Sequence, residues 1–568
     1  MCGIYACFST RKNDIDVTSY HHDNIAQRGP DETVEIDISD NEVKGKMVFY
    51  RLAIMDVKDG HQPFTSDNGE VFAMCNGEIY NHQDLIETHS LPVKTHSDCE
   101  VILHLYQKYG VEKMASLLDG EFAFIIYDRM KHAVYYGRDI FGVKPLYEHR
   151  CTNGIFELSS TISGLSDHNC KETETVTNQV RPRTVYLNDL INNTGKSASF
   201  YDFPDANRSS TTDQTQLIYS NLVAAVKKRV EQSEREVGFF LSGGLDSSII
   251  LSIALNECKF DRPPKAFTFA FDTTAPDYLA AEKVVKWLRE RYGEYCIEWV
   301  PVVMDVTNGF YVIPNVIKHF ETYDTTTIRA GVPMYLLSRY ISDTTNVKVL
   351  LSGEGSDELF GGYLYFNYSP SKKESEREVR KLLSSLHYFD VLRADRATAS
   401  NGLEIRPPFL DKTLVNNVLR THQFVDNVKK YAPTKQLLRS ICKTYDLLPI
   451  DITEGRKEAF SDAVGLSWQY KLEQFASDFI DKVLSELDDV ENKIPLRFMK
   501  TAINKNSLHS VEQDVNKMKK VDIFIQHIFH QYVANEKYLW HLVPYFWTPN
   551  QDWVDTKGES SARALDIY

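Results

Sequence analysis

Two folds in series are predicted for this chain: a strand-rich α+β first half, then an α/β second half built on a parallel sheet. Three observations carry that expectation. At 568 residues the chain exceeds what one core holds, so two or more domains follow. Residues 1–165 are dominated by short β-branched and aromatic runs bounded by Gly, Asp and Asn. From about residue 215, apolar runs alternate with helical periodicity, the pattern of a parallel sheet flanked by helices.

In the first half, "MVFYRLAIMD", "EVFAMCNG", "EFAFIIYD" and "HAVYYGRD" read as strands. Between them "SDCEVILHLYQKYG" reads as a helix capped by Ser97, with Glu100 completing a capping box and Gly110 stopping it. Residues 166–212 are polar and rich in Pro, Ser and Thr, with one short strand, "TVYL", inside them. The first domain is therefore assigned to 2–187 and a linker to 188–212. The second domain is expected over 213–540, opening on a helix whose apolar stripe is Leu217, Leu222, Val223, Val226 and Val230. Its strand–helix pairs are "VGFFLSGG" with "SSIILSIAL", "AFTFAF" with "YLAAEKVVKWLRER", and "VKVLLSGE" with "DELFGGY". Residues 541–568 are expected to be a C-terminal tail.

A formal net charge of −15 argues against nucleic acid as a partner, because that binding wants a basic face. No apolar run is long enough to span a bilayer, and no signal-peptide core follows Arg11 and Lys12, so a cytoplasmic protein is expected. The nine cysteines contain no C-x-x-C pair, which speaks against structural zinc and for reduced thiols.

The sharpest chemical signal is "GFFLSGGLDSSII". A strand ending near Leu241 runs into Ser242, Gly243, Gly244, Leu245, Asp246, Ser247 and Ser248, and an apolar helix follows. Glycines let the backbone approach an anion, hydroxyls add donors, and the helix N-terminus adds positive potential. The loop is not G-x-x-x-x-G-K-[ST], so a kinase-type phosphate loop is excluded. Asp246 inside an anion site makes sense as a Mg²⁺ ligand between phosphates. A second strand repeats the logic with Ser352, Gly353, Glu354, Gly355, Ser356, Asp357 and Glu358. Two such loops at two strand ends would converge on one nucleotide, with Asp357 a second Mg²⁺ ligand and Glu354 a proton acceptor. For Glu358, ordinary first-turn helix charge serves equally well.

"LSGGLDSS" with "LSGEGSDELFGGY" resembles the ATP-pyrophosphatase domain of glutamine-hydrolysing asparagine synthetases. "MCGI", "RGPD", "RLAIMD", "NGEIYNH", "SDCEVI" and "GRDIFGVKPLY" resemble the class II glutaminase domain fused to it. "ETYDTTTIRAGVPMYLLSR", "GLEIRPPFLDK" and "RKEAFSDAVG" extend the likeness, in family order, to about residue 465. The resemblance implies an N-terminal-nucleophile αββα sandwich followed by a doubly wound parallel-sheet domain. It also implies two coupled reactions. Glutamine is hydrolysed to glutamate and ammonia. ATP adenylates the aspartate side chain, and channelled ammonia converts β-aspartyl-AMP into asparagine, releasing AMP and pyrophosphate. A homodimer is implied as well.

Carried over residue by residue, Cys2 is the nucleophile, exposed as the first residue once Met1 is cut off, with its own α-amino group as general base. Asn76 and Gly77 correspond to the oxyanion hole; an Asn-Gly hairpin turn is the rival, weakened because "EIYNHQDL" reads as a helix start. Arg51, Leu52, Ala53, Ile54 and Met55, with Glu78 and Asp98, match positions that hold glutamine. Arg51 would take the α-carboxylate and Asp98 the α-ammonium, although Asp98 also suits a first helical turn. Leu241 and Ala270 match adenosine contacts, Ser352 and Gly353 the nucleotide loop, and Glu354 the residue needed to form the acyl-adenylate. Thr326, Thr327 and Arg329 match an aspartate pocket, and Lys457 a cation for the phosphates. Two departures stand out: Gln27 where the family has His, expected to affect packing near the glutamine entrance, and Ile405 with Pro407 in "EIRPPFLD". The competing readings are a β-lactam-synthetase-like cyclase, another class II amidotransferase, and a non-catalytic homologue. The first should lack Cys2, the second "SGGLDSS", and the third should show broken catalytic positions.

Overall fold

The structure is a computed structural model that describes residues 1–10, 23–152, 154–165, 175–205, 214–421, 434–455, 463–485, 519–533, 549–550 and 552–553. Its first half is two facing antiparallel sheets. One contains β1 (Gly3–Thr10), β2 (Glu32–Asp37), β3 (Val43–Arg51), β8 (Tyr147–Cys151), β9 (Phe156–Ser159) and β10 (Thr175–Gln179), in the order β10-β8-β9-β1-β3-β2. The other contains β4 (Phe64–Thr65), β5 (Val71–Ile79), β6 (Gly120–Asp128), β7 (Ala133–Arg138), β11 (Thr184–Asp189) and β12 (Thr194–Ser199), in the order β12-β11-β7-β6-β5-β4.

Alternation along the strands sets which residues meet between the sheets. Ile4, Ala6 and Phe8 of β1, Met47 and Phe49 of β3, Met74 of β5, and Ala123, Ile125 and Tyr127 of β6 form that inner core. The opposite face of β5 and β6 (Cys75, Phe122, Phe124, Ile126) packs on helices α1 (His82–His89), α2 (Val101–Tyr109) and α3 (Val111–Leu117). The expected capping box does not form. Ser97 makes no side-chain cap, and Glu100 instead accepts from the backbone N–H groups of Lys94 and Thr95 and from the Thr95 hydroxyl. A 3-10 turn over Asp98–Glu100 precedes α2, and Gly110 ends the helix with φ 78° as expected.

The expected linker over 188–212 begins inside structure, because β12 pairs with β11 and extends the second sheet. It escaped notice because all of Thr194–Gly195–Lys196–Ser197 is exposed; an edge strand with no buried face has no apolar signature. The strand β2 was missed for a related reason, its Glu and Asp residues masking a half-buried alternation.

In the second half five strands form a wholly parallel sheet: β13 (Glu236–Phe240), β14 (Lys265–Ala270), β15 (Glu298–Val303), β16 (Val347–Leu351) and β17 (Glu404–Arg406), in the order β15-β14-β13-β16-β17. The chain leaves β13 toward β14 and β15, then returns to the other side of β13 with β16. The crevice between β13 and β16 is thus the topological switch point, where α/β sheets bind ligands. Helices α4 (Gln214–Glu231), α5 (Leu245–Glu257), α6 (Pro276–Tyr292), α7 (Val306–Phe320), α8 (Thr325–Thr344), α9 (Ser356–Phe360), α10 (Lys372–Ser385), α11 (Asp390–Ala399), α12 (Lys412–Arg420) and α13 (Gln436–Thr444) surround the sheet. On α4 the buried stripe is Ile218, Leu222, Ala225, Val226, Arg229 and Val230; the predicted Leu222, Val226 and Val230 lie in it, while Leu217 and Val223 sit half-buried at its margin. This stripe brings Arg229 onto Glu121 of β6 at 2.9 Å.

Among the described residues two apolar clusters join the halves. In one, Leu52, Ile54, Ile140, Phe141 and Val143 of the first pack with Leu241, Leu359 and Phe409 of the second; in the other, Met1, Tyr147, Ile162 and Leu165 join the cluster that holds Phe320 and Leu403. In the stretch expected to be a tail, Trp553 packs against Tyr365 and Phe366.

Candidate active sites

Cys2 sits immediately ahead of β1, a central strand of its sheet, and packs against the inner core. Its thiol lies 3.8 Å from the Leu52 carbonyl, and its own carbonyl accepts from Arg28 Nε at 3.1 Å. Met1 is wholly buried at the seam between the halves, its ammonium 3.9 Å from Glu404 of β17. Burial drives the Met1 amine down to about 6, and burial pushes the Cys2 thiol up to about 11.

Across from Cys2, Asn76 lies mid-strand in β5 opposite Ala123 of β6, so Asn-Gly is not a hairpin turn here. Two residues beyond inward-facing Met74, Asn76 faces the same inner space, and it is fully buried. Neither of its side-chain amide atoms has a hydrogen-bond partner. A primary amide left unpaired in a strand interior is costly unless a ligand completes it. Gly77 has φ 142°, and a Cβ there would lie 1.9 Å from the Glu121 carbonyl oxygen, so only glycine lets β5 pass.

Glu78 pairs with Arg406 of β17 at 3.1 Å, and burial raises its pKa well above the carboxylate range. Asp98 accepts from the Ile79 N–H at 2.6 Å and is likewise raised by burial. Arg51 is buried, and its guanidinium donates to the carbonyls of Asp56 at 2.5 Å and Val57 at 3.4 Å, tying the turn after β3. The Leu52–Met55 segment is held from both sides: Asp31 of "RGPD" accepts from the Ala53 N–H at 2.9 Å, and Arg235 donates to the Ala53 carbonyl at 2.8 Å. Gln27, next to Arg28, reaches His319 of α7 at 3.2 Å, across the seam.

The second site is a cleft of about 480 Å³ at the switch point. Leu241, Ser242, Gly243, Gly244, Asp246 and Ser247 line one side, Ser352, Gly353, Glu354 and Asp357 the other, and Thr326, Thr327 and Arg329 of α8 its floor. Gly243 has φ 76°, and a Cβ on it would lie 2.2 Å from the Ala281 backbone nitrogen. The Thr327 hydroxyl is engaged in capping α8 through Asp324 at 2.7 Å. Ala270 ends β14 one residue past Phe269 and is not among the lining residues; Phe267, Phe269, Met334 and Leu337 supply the apolar wall instead. Lys457 lies outside the described residues.

Asp246 and Asp357 are brought together, as expected, around one cation that no motif signalled. Lys435 donates to Asp246 Oδ2 at 2.5 Å and lies 2.7 Å from Asp357 Oδ1. It stands in "APTKQLL", with no local pattern to mark it, and takes φ 58° at the start of α13. Among the described residues no three His, Cys, Asp or Glu side chains are grouped to hold a metal by themselves. Two hard carboxylates beside an anion loop fit Mg²⁺, which keeps few protein ligands and takes phosphate oxygens for the rest.

Glu354 receives Arg393 Nη2 on both oxygens, at 3.1 and 3.0 Å, and burial raises its pKa. Glu358 is buried rather than a surface first-turn charge. Tyr363 donates to it, and burial, then Asp390 and Asp357, push it up to about 8. Glu358 was legible only as one of two readings, because first-turn acids are common, and Arg393 escaped the sequence reading because its segment carries no loop motif.

Comparison with known proteins bears on both sites. Residues 1–201 match the family described as glutamine amidotransferase domain. Residues 217–383 and 368–515 match the family described as asparagine synthase. The glutamine-hydrolysing asparagine synthetase of Rattus norvegicus is 34% identical over 599 residues, covering 100% of this chain and 99% of that protein. A probable asparagine synthetase of Acanthamoeba polyphaga mimivirus is 33% identical, covering 97% of each. Among solved structures, a glutamine phosphoribosylpyrophosphate amidotransferase from B. subtilis superposes with a TM-score of 0.28 at 17% identity, over 44% of this chain and 62% of that one.

Proposed function

The chain belongs to the glutamine-hydrolysing asparagine synthetases, ATP-dependent ligases that make L-asparagine from L-aspartate and L-glutamine, and from that premise we propose how its two sites divide the work. The N-terminal half releases ammonia from glutamine and the C-terminal half spends ATP to accept it.

At the first site Cys2, freed of Met1, carries both nucleophile and base. Its α-amino group takes the thiol proton, the sulfur attacks the glutamine side-chain amide carbon, and the proton is passed to the departing nitrogen as ammonia. The tetrahedral oxygen is held by the Asn76 amide and the Gly77 N–H, and water then cleaves the thioester to glutamate. Asp98 takes the α-ammonium, Arg51 the α-carboxylate, and Leu52 to Met55 with Glu78 the remaining surface. What carries this reading is Asn76: a buried amide with no partner, on the same inner face as the Cys2 thiol. The Met1-bearing chain, whose Cys2 nitrogen is tied up in a peptide bond and cannot serve as base, would be dormant toward glutamine.

At the second site Ser242, Gly243, Gly244, Ser247, Ser352 and Gly353 hold the phosphates and Leu241 the adenosine. Asp246 and Asp357 would hold Mg²⁺, which neutralises pyrophosphate charge. Thr326, Thr327 and Arg329 orient aspartate. Its β-carboxylate oxygen displaces pyrophosphate from the α-phosphorus, ammonia attacks the resulting acyl carbon, and AMP leaves while Glu354 accepts the surplus proton. A shielded route matters because ammonia is mostly ammonium in neutral water. Among the described residues no helix is long and apolar enough to cross a membrane. A cytoplasmic homodimer belongs to the same reading, on the family resemblance.

The test is product analysis with ATP, Mg²⁺, aspartate and glutamine, in which asparagine, glutamate, AMP and pyrophosphate should rise together. Cys2→Ala should reduce glutamine-dependent synthesis by at least about 10³-fold while sparing synthesis from added ammonium. Loss of both activities would refute the division of labour.

A further inference from the structure

An N-terminal catalytic residue has a mechanical difficulty. Once Met1 is gone, Cys2 has no preceding peptide, and the strand pairing of β1 begins only at Gly3, opposite Tyr50. Nothing in the ladder fixes the rotation that aims its thiol and amine. Its thiol lies 3.8 Å from the Leu52 carbonyl, and its backbone is gripped by Arg28, whose Nε donates to the Cys2 carbonyl at 3.1 Å. Fixing that carbonyl fixes the carbon that bears both reactive groups.

Arg28 is itself held from the other half of the molecule. Its Nη1 and Nη2 donate to the two oxygens of Asp395 at 2.9 and 3.1 Å, a bidentate pair between groups that are 2% and 1% exposed. Asp395 lies on α11, and two residues earlier the same helix presents Arg393 to Glu354 in the nucleotide cleft. A salt bridge serving only to dock the halves has no need to end on the backbone of the nucleophile. This one does.

We propose, resting on the assignment of Cys2 above, that Asp395 of the synthetase half is a positioning residue for the glutaminase nucleophile, acting through Arg28. One rigid ten-residue helix then sets the stance of the nucleophile and of the adenylation acid together. Misplacement of a nucleophile by about 1 Å costs on the order of 10²-fold, so a loosened grip should appear in turnover rather than in substrate affinity.

The experiment uses the full-length chain with Met1 removed. In Asp395→Asn, kcat for glutamine hydrolysis should fall by about 10-fold or more, with KM for glutamine changed by less than about 3-fold. Alkylation of Cys2 by iodoacetamide, measured by mass spectrometry without substrates, should slow in parallel. Ammonium-dependent synthesis should stay within about 3-fold of the parent, and Asp395→Glu should recover part of the glutaminase rate. Arg28→Lys, which keeps the charge but cannot grip both partners, should repeat the pattern and decides the matter if Asp395→Asn does not fold. Unchanged turnover and alkylation, or loss of glutamine and ammonium activities in step, overturns the proposal. Cys2→Ala keeps the two readings apart: if it abolishes glutamine use while Asp395→Asn does nothing, the nucleophile stands and the positioning role falls.

Discussion

The two proposed active sites are built from opposite parts of their sheets. The proposed glutaminase site draws on a strand interior, with Asn76 and Gly77 mid-ladder in β5 and Cys2 just ahead of the central strand β1. The nucleotide site lies beyond strand ends, where loops after β13 and β16 meet across a switch point. A ladder fixes geometry on both sides of a residue, which suits donors such as the Asn76 amide and the Gly77 N–H that must hold one oxyanion in fixed register. A loop leaves backbone N–H groups free to point at a ligand, which suits a polyanion that must enter and leave. The first rests on a buried, unpartnered amide; the second is a cleft whose polar groups, such as Lys435 with Asp246 and Asp357, partner one another.

That contrast can be broken most sharply at Asp246. Asp246→Asn should lower asparagine synthesis by about 10³-fold from glutamine and from ammonium alike while glutamine hydrolysis continues, as a coupled glutamate assay would show. Continued synthesis would mean that the two loops do not form the nucleotide site. Asn76→Ala should cost the glutaminase about 10² in kcat and leave ammonium-dependent synthesis intact. Because its unpaired amide is a burden in the free protein, the same variant should melt no lower than the parent; a lower melting temperature would show that Asn76 has a structural partner after all.

The smallest effect belongs to Glu358. Its folded pKa, near 8, lies above the ordinary 4.5, so between those values the folded state binds the extra proton. Stability should then fall as pH rises through that window, and Glu358→Gln should flatten the fall between pH 5 and 8 in thermal melts. An unchanged pH slope would remove Glu358 from the list of titrating groups.

The same contrast explains what could be read from sequence. Loops at strand ends advertise themselves, since Gly, Ser and Asp must recur at fixed offsets, and the positions of Ser242 to Ser247 and Ser352 to Asp357 were legible. The parallel sheet was legible too, from alternation of apolar runs. Strand-interior chemistry was not legible without the family likeness: Asn-Gly read in isolation is a turn, and nothing in "AMCNGEI" says that its amide is buried unpaired. Hidden entirely were partners supplied by distant segments. Lys435 joins Asp246 and Asp357 from about 190 and 80 residues away, and Arg393 reaches Glu354 from a helix with no motif. The Asp98 turn was misjudged as a capping box because Thr95 and Lys94, ahead of it, compete for Glu100.

The apolar cluster shared by Leu52, Ile54 and Phe141 with Leu241 and Phe409 sets a limit on modularity. Were the chain severed near residue 205, each piece would present to water a face that now lies dry, together with half of every ion pair along the seam, such as Arg229 without Glu121. Neither piece has a finished surface there. The enzyme is one folding unit carrying two chemistries, so heat or denaturant should undo both in a single step, and a glutaminase excised on its own would seek another apolar partner.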